Sequence, residues 1–247
     1  MNFSTLFAND IKIFFPEIFL TFAILIVLTY GVLVATSLTY NYPLISRNIY
    51  YLVLFILGIG MTLVFYNPVD SALIFQKTFL HDDCSRIAKL FILGSAFVCL
   101  VFSQSFLESS QINNYEYFLL LLFSVLGLNL LISSFDLLSA YLAIELQALS
   151  FYVLAALKRR SVYSTEAGLK YFILGAFSSG LLTYAFSLIY GVTGTTNLCD
   201  LRNFCIDSHF DGANLLKVAL VFLSAGFLFK IAAFPFHMWS PDVYEGA

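Results

Sequence analysis

Charged residues are missing from long stretches of this chain and gather in the connections between them. The apolar stretches cover residues 18–40, 49–67, 90–107, 117–135, 137–157, 167–190 and 215–241. Each is near the roughly 20 residues that a helix needs to cross a bilayer. The pattern predicts an all-α, polytopic transmembrane helix bundle of about seven spans, and no strand alternation suggests a barrel. Short connections make neighbouring spans antiparallel, apart from two polar loops at 70–89 and 193–214. Alternation puts those loops on one membrane face with the N-terminus and Asp136. Arg47 and the triplet Lys158, Arg159 and Arg160 lie on the other.

Composition strengthens this reading. The 247 residues are 60% hydrophobic and 11% charged, with a mean hydropathy of +0.89; soluble domains carry about 25% charged residues. That deficit excludes a water-facing surface. The net charge of −3 carries little information, because the position of charges decides topology in a membrane protein. No basic patch suggests nucleic acid. Cys84, Cys99, Cys199 and Cys205 lack CxxC spacing, so no metal or redox site is expected from them. The 28 Phe and 15 Tyr suit lipid contact and interfacial belts. Residues 1–10 have no basic run, and the first apolar stretch is too long for a signal-peptide core. Insertion where the chain is made, in a bacterium or from an organelle genome, fits that start. The dense basic triplet in a short loop places that face on the matrix or cytoplasmic side.

Candidate chemistry lies in the charges that remain inside spans. Glu145 in span five and Lys230 in span seven are deeply placed, at roughly 12 and 24 Å from their helix starts. A charge at a helix centre costs about 2.5–3.5 kcal/mol unless paired or hydrated. The alternative to function is a structural ion pair that fixes packing. Pro235 follows Lys230 by five residues, and Pro241 comes next, in FPFHMWSP (234–241). Proline removes a backbone donor, and broken helices at membrane depth persist where protein or water satisfies the freed groups. In transporters such breaks sit at ion or substrate sites. The expectation is therefore a discontinuous span seven, interrupted at Pro235.

Lys170 could snorkel to the headgroups or turn inward toward Glu145. His237 could relay protons near neutral pH or pack as a hydrogen-bonded histidine. Asp136 reads as a turn residue. His209, with Cys199 and Cys205, reads as an unliganded loop residue. Span six is expected to start at Ser164 or Thr165 with Glu166 in its first turn. Small residues at helical spacing follow, Gly175 with Ser179 and Ala176 with Gly180, and suit close helix packing. The implied mechanism is electrostatic. Desolvation favours neutral Lys230, and an ionised Glu145 beside it favours the charged form. Separating the pair releases a proton and restoring it recharges the lysine.

Three ordered stretches carry a family resemblance: YLAIELQALSFY (141–152), STEAGLKYFILGAFSSG (164–180) and FLFKIAAFPFHMWSPDVYEGA (227–247). They resemble subunit 2 of the NADH:ubiquinone oxidoreductases of mitochondria (respiratory complex I). The similarity is specific from about residue 115 onward and looser before, apart from FPEIFL (15–20). This antiporter-like subunit family is related to Mrp-type cation/proton antiporters. The resemblance implies two inverted five-helix repeats with broken helices, preceded by three extra helices. Residues 1–110 would be the leading helices, and 111–247 the first part of the first repeat, a partial antiporter-like fold.

The resemblance also implies a proton path through Glu145, Lys170 and Lys230, with His237 a further candidate. It implies no cofactor in this chain, since flavin, iron–sulfur clusters and quinone belong elsewhere in such a complex. The expected setting is the inner mitochondrial membrane, among other membrane-arm subunits and lipid. Family members continue past the equivalent of Ala247, so a separately encoded chain is expected to supply the C-terminal half. Competing expectations are a cation/proton antiporter subunit, a retinal protein using Lys230, and a fragment that only holds helices in an assembly.

Overall fold

The computed structural model describes residues 9–35, 44–67, 71–109, 115–158, 160–206 and 213–247. Tyr40, Asp70, Arg159 and His209, which figured in the expectations above, lie outside the described residues. The chain divides into two compact units, Met1–Ser133 and Ser134–Ala247.

The first unit holds four long helices: α1 (Phe15–Ala35), α2 (Leu44–Phe65), α3 (Asp83–Ser109) and α4 (Tyr115–Ser133). Pro16 suits the first turn of α1, where a backbone N–H would have no partner in any case. Leu20, Ile24 and Val27 on α1 line one face at helical spacing. Ile49, Val53 and Leu57 do the same on α2, and Leu93 and Leu100 on α3. All are at most 2% exposed, as is Leu122 of α4, and they form the core of a unit in which α1 and α3 each pack on α2 and α4. Phe22, Leu33, Phe55, Phe91 and Phe102 point outward, as lipid-facing side chains do. Gly31 is needed where α1 meets α4, because a Cβ there would lie 2.6 Å from the Tyr115 ring.

The polar loop expected at 70–89 has structure of its own. Strands β1 (Ala72–Ile74) and β2 (Phe79–His81) pair antiparallel, with Leu73 opposite Leu80. Their turn passes through Phe75, Gln76 and Lys77, all at positive φ. Phe14 packs against Phe75 and Phe79, and the Phe75 N–H donates to Asp10. Next, Asp82 and Ser85 exchange hydrogen bonds in a reciprocal cap. That cap starts α3 at Asp83, a full two turns before the expected span.

The second unit comprises α5 (Leu137–Ala155), α6 (Val162–Thr193), α7 (Leu198–Ile206), α8 (Ala213–Lys230) and α9 (Trp239–Gly246), with α6 packed on α5, α8 and α9. Asp136 is more than a turn residue. Its carboxylate accepts from the N–H groups of Leu138 and Ser139, capping α5. The start of α6 also differs from expectation: Ser161 is the cap, accepting from the Ser164 N–H, while the Ser164 hydroxyl reaches back to the Ala155 carbonyl. Gly194, at φ 70°, closes α6 with its N–H on the Tyr190 carbonyl. The loop expected at 193–214 contains the short helix α7. Of the two small-residue pairs, Gly175 and Ser179 are buried and pack, whereas Ala176 and Gly180 are exposed in this chain.

Among the described residues, six helices, α1 to α6, are long and apolar enough to cross a membrane. The seventh expected span is α8, and it stops at Lys230.

Candidate functional site

Lys230 stands in the last turn of α8. The Ala232 N–H donates to the Phe229 carbonyl at 3.1 Å and the Ala233 N–H to the Leu228 carbonyl at 2.9 Å. Ala232 itself is left-handed, at φ 52°. These are the paired bonds of a Schellman stop, made here with alanine in the position that usually takes glycine. The chain then runs without helix until α9 begins at Trp239. The expected interruption is therefore present, but it begins five residues before Pro235. The free carbonyl end of α8 favours a cation in its last turn, and Lys230 supplies one.

The lysine reaches across to α5. Its Nζ donates to Glu145 Oε1 at 3.4 Å and to the Tyr152 hydroxyl at 3.2 Å. The charged side chains are 16% and 21% exposed, and Tyr152 is buried. Glu145 and Tyr152 share a face of α5 because they are two turns apart. Gly175 of α6 makes room for the tyrosine: a Cβ there would lie 2.1 Å from the Tyr152 hydroxyl. Tyr152 packs edge-on against Tyr171, which stacks on Trp239 at 5.0 Å. Trp239 also stacks on Phe229, and its Nε1 donates to the Phe229 carbonyl at 3.3 Å. One aromatic column thus ties the restarted helix to the end of α8 and brings a second donor to the Phe229 carbonyl, beside the Ala232 N–H.

Lys170 is placed differently. Its Nζ bonds Asp242 Oδ2 at 2.7 Å and Glu166 Oε1 at 2.8 Å. The side chain is 41% exposed, in an open cleft of about 200 Å³ lined also by Tyr163 and Glu245. The first-turn acid of α9 therefore holds Lys170, and the Glu145 carboxylate goes to Lys230. His237 lies in the break, its ring near Phe234 and its Nδ1 buried without a protein partner.

Reading charges alone missed Tyr152. Its spacing of seven residues from Glu145 on a helix was the available signal. It also missed a second buried pair in the first unit, Glu17 of α1 with Lys89 of α3. That pair is more buried within the protein than Glu145 with Lys230, although Glu17 stands in the first turn of its helix, at the edge of the span. Both of its members sit at the edges of uncharged runs, where a search for such runs assigns them to loops.

Comparisons with known proteins bear on the fold and the family. Residues 134–247 match the family described as NADH:quinone oxidoreductase/Mrp antiporter, TM. NADH-ubiquinone oxidoreductase chain 2 of Marchantia polymorpha is 43% identical, over 98% of this chain and 50% of its own length. NADH-quinone oxidoreductase subunit N of Ruthia magnifica is 39% identical, over 100% of this chain and 50% of its own. A chain of respiratory complex I from Thermus thermophilus superposes with a TM-score of 0.74 at 27% identity, covering 94% of this chain and 47% of that one. The chain spans about half the length of the curated relatives it matches. It is a multi-pass membrane protein; it belongs to the NADH:quinone oxidoreductase/Mrp antiporter membrane family and is similar along its length to that family's chain 2 and subunit N members.

Proposed function

We propose that the chain is the N-terminal part of a proton-translocating membrane-arm subunit of NADH:ubiquinone oxidoreductase. The contact of Lys230 with Glu145 and Tyr152 at a broken helix end carries this reading. Proton movement follows from the electrostatics. An ammonium held by a carboxylate and a helix C-terminus keeps its proton; withdrawing the carboxylate in a dry setting releases it. The Lys230 stop in α8 and the restart at Trp239 provide a joint at which that distance can change. Lys170, held by Asp242 of the restarted helix, is the next proton-bearing group, and His237 in the break is a further one. Redox chemistry lies in other subunits, and this chain carries no cofactor.

Residues 1–110 form the leading helices and 111–247 the first part of the antiporter-like repeat. Ile231, Phe234, Met238 and Tyr244 are exposed around the break; other membrane-arm segments and lipid cover them in the assembly. The setting is the inner mitochondrial membrane. Affinity purification of the chain from its native membranes tests the assignment. An assembly that oxidises NADH, with mass spectrometry identifying other membrane-arm subunits in it, is the expected result. A complex that exchanges cations for protons without oxidising NADH would replace it with the antiporter reading.

Tyr152 supplies a finer test. A hydrogen bond to a charged group contributes about 1.5–3 kcal/mol, so its loss should slow coupled proton pumping on the order of tenfold. Tyr152→Phe removes the hydroxyl, and Gly175→Ala pushes it away from Lys230. The two variants should have similar effects, and the double variant should be little worse than either, because all three break one contact. Additive losses would mean that Gly175 acts elsewhere.

A further inference from the structure

The buried pair in the first unit has polar neighbours that the proposed proton path does not use. Glu17 Oε1 accepts from Lys89 Nζ, with the two side chains 3% and 5% exposed. Four residues before Glu17, just ahead of α1, the Ile13 carbonyl accepts from Asn67 Nδ2 at 2.9 Å. Asn67 follows the end of α2 and is itself buried. Three helices therefore bring a carboxylate, an ammonium and an amide to one end of the unit. The same end carries the hairpin, whose Phe75 and Phe79 rest on Phe14, the residue after Ile13.

The hydrogen-bond inventory of these groups does not balance within the protein. Glu17 Oε2 and Asn67 Oδ1 are both fully buried and neither has a donor from the chain. Turning the amide over does not help: it would set Oδ1 against the Ile13 carbonyl, acceptor against acceptor, and lose the bond at 2.9 Å. A buried acceptor left without a donor costs about 1–3 kcal/mol, so each of the two calls for a donor from outside the chain, and a single partner that reaches both would satisfy them. That partner has to be small, has to fit among buried side chains and has to present two donors at once.

We propose that Glu17, Asn67 and Lys89 form a binding site for one structural water molecule, whose two O–H groups donate to Glu17 Oε2 and Asn67 Oδ1. Buried polar groups of this kind hold such waters, which make about three hydrogen bonds each; a remaining N–H of the Lys89 ammonium is placed to supply the third. The water completes the hydrogen bonding of the carboxylate in an otherwise apolar core. It also joins α1, the end of α2 and α3 beneath the hairpin.

A density map of the intact assembly at a resolution that shows ordered water tests the site. The expected result is one peak within about 3 Å of both Glu17 Oε2 and Asn67 Oδ1, lost in Asn67→Leu while the Glu17–Lys89 contact persists. No peak, or Oε2 bonded directly to Lys89, overturns the proposal. A protonated Glu17 that donates straight to Asn67 also overturns it, and would appear as a carboxylic C=O band in infrared spectra that disappears in Glu17→Gln. The unaltered protein alone decides the question, so a failure of the Asn67 variant to assemble leaves the test intact.

Discussion

Lys230→Ala is expected to remove most of the proton pumping coupled to NADH oxidation while the assembly still forms and still oxidises NADH. The lysine makes two hydrogen bonds from the last turn of α8, to Glu145 and Tyr152. Truncating it leaves the Glu145 carboxylate without its counter-ion, 21% exposed in this chain. An uncompensated charge of that kind costs about 3–5 kcal/mol in a buried setting, so Glu145 should take up a proton and hold it. Glu145→Ala has the mirror effect and favours a neutral Lys230. Either way one member of the pair stops titrating within the cycle, and the coupled rate should fall by more than tenfold. Glu145→Asp, which keeps the charge on a shorter arm, should be milder. Parallel assays of NADH oxidation and proton uptake in vesicles check this, with native gels to establish assembly. Unchanged proton-to-electron ratios in both alanine variants would end the role assigned to the pair.

How far the sequence foretold this site depends on what each feature needs as a signal. Six helices long and apolar enough to cross a membrane could be read from uncharged runs, because the bilayer imposes the length and excludes the charge. The meeting of Glu145 with Lys230 followed as a possibility from the cost of burying either alone. The point of interruption did not. Pro235 marked a break, but α8 ends earlier through a left-handed alanine, Ala232, and an alanine carries no stop signal in sequence. The hairpin was hidden for the same reason: its turn residues Phe75, Gln76 and Lys77 include no glycine or asparagine. Lys170 was legible as a buried-or-snorkelling ambiguity and nothing finer. Its partner Asp242 lies 72 residues away, and only the restart of the chain at α9 brings that acid to it. Cap positions were off by one turn at α6, where Ser161 and Ser164 are both good caps and the second is instead drawn to the Ala155 carbonyl.

The first unit should prove equally sensitive to a single charge change, by a different route. In Lys89→Met the Glu17 carboxylate loses its partner at a site that is 3% exposed. The cost of about 3–5 kcal/mol falls on a bundle held mainly by apolar packing. That is a large part of the 5–15 kcal/mol by which a domain is stable, so the yield of assembled complex and its thermal midpoint should both fall sharply. Glu17→Gln should be nearly as harmful, since it strands the ammonium. Removing both charges together, Glu17→Leu with Lys89→Met, should recover much of the loss, because two apolar side chains need no counter-ion and a buried pair adds little over them. The double-variant comparison separates this from a proton-carrying role. A stability clamp predicts rescue of assembly and ordinary proton-to-electron ratios in whatever assembles. Rescued assembly with failed pumping would instead make Glu17 and Lys89 part of the path.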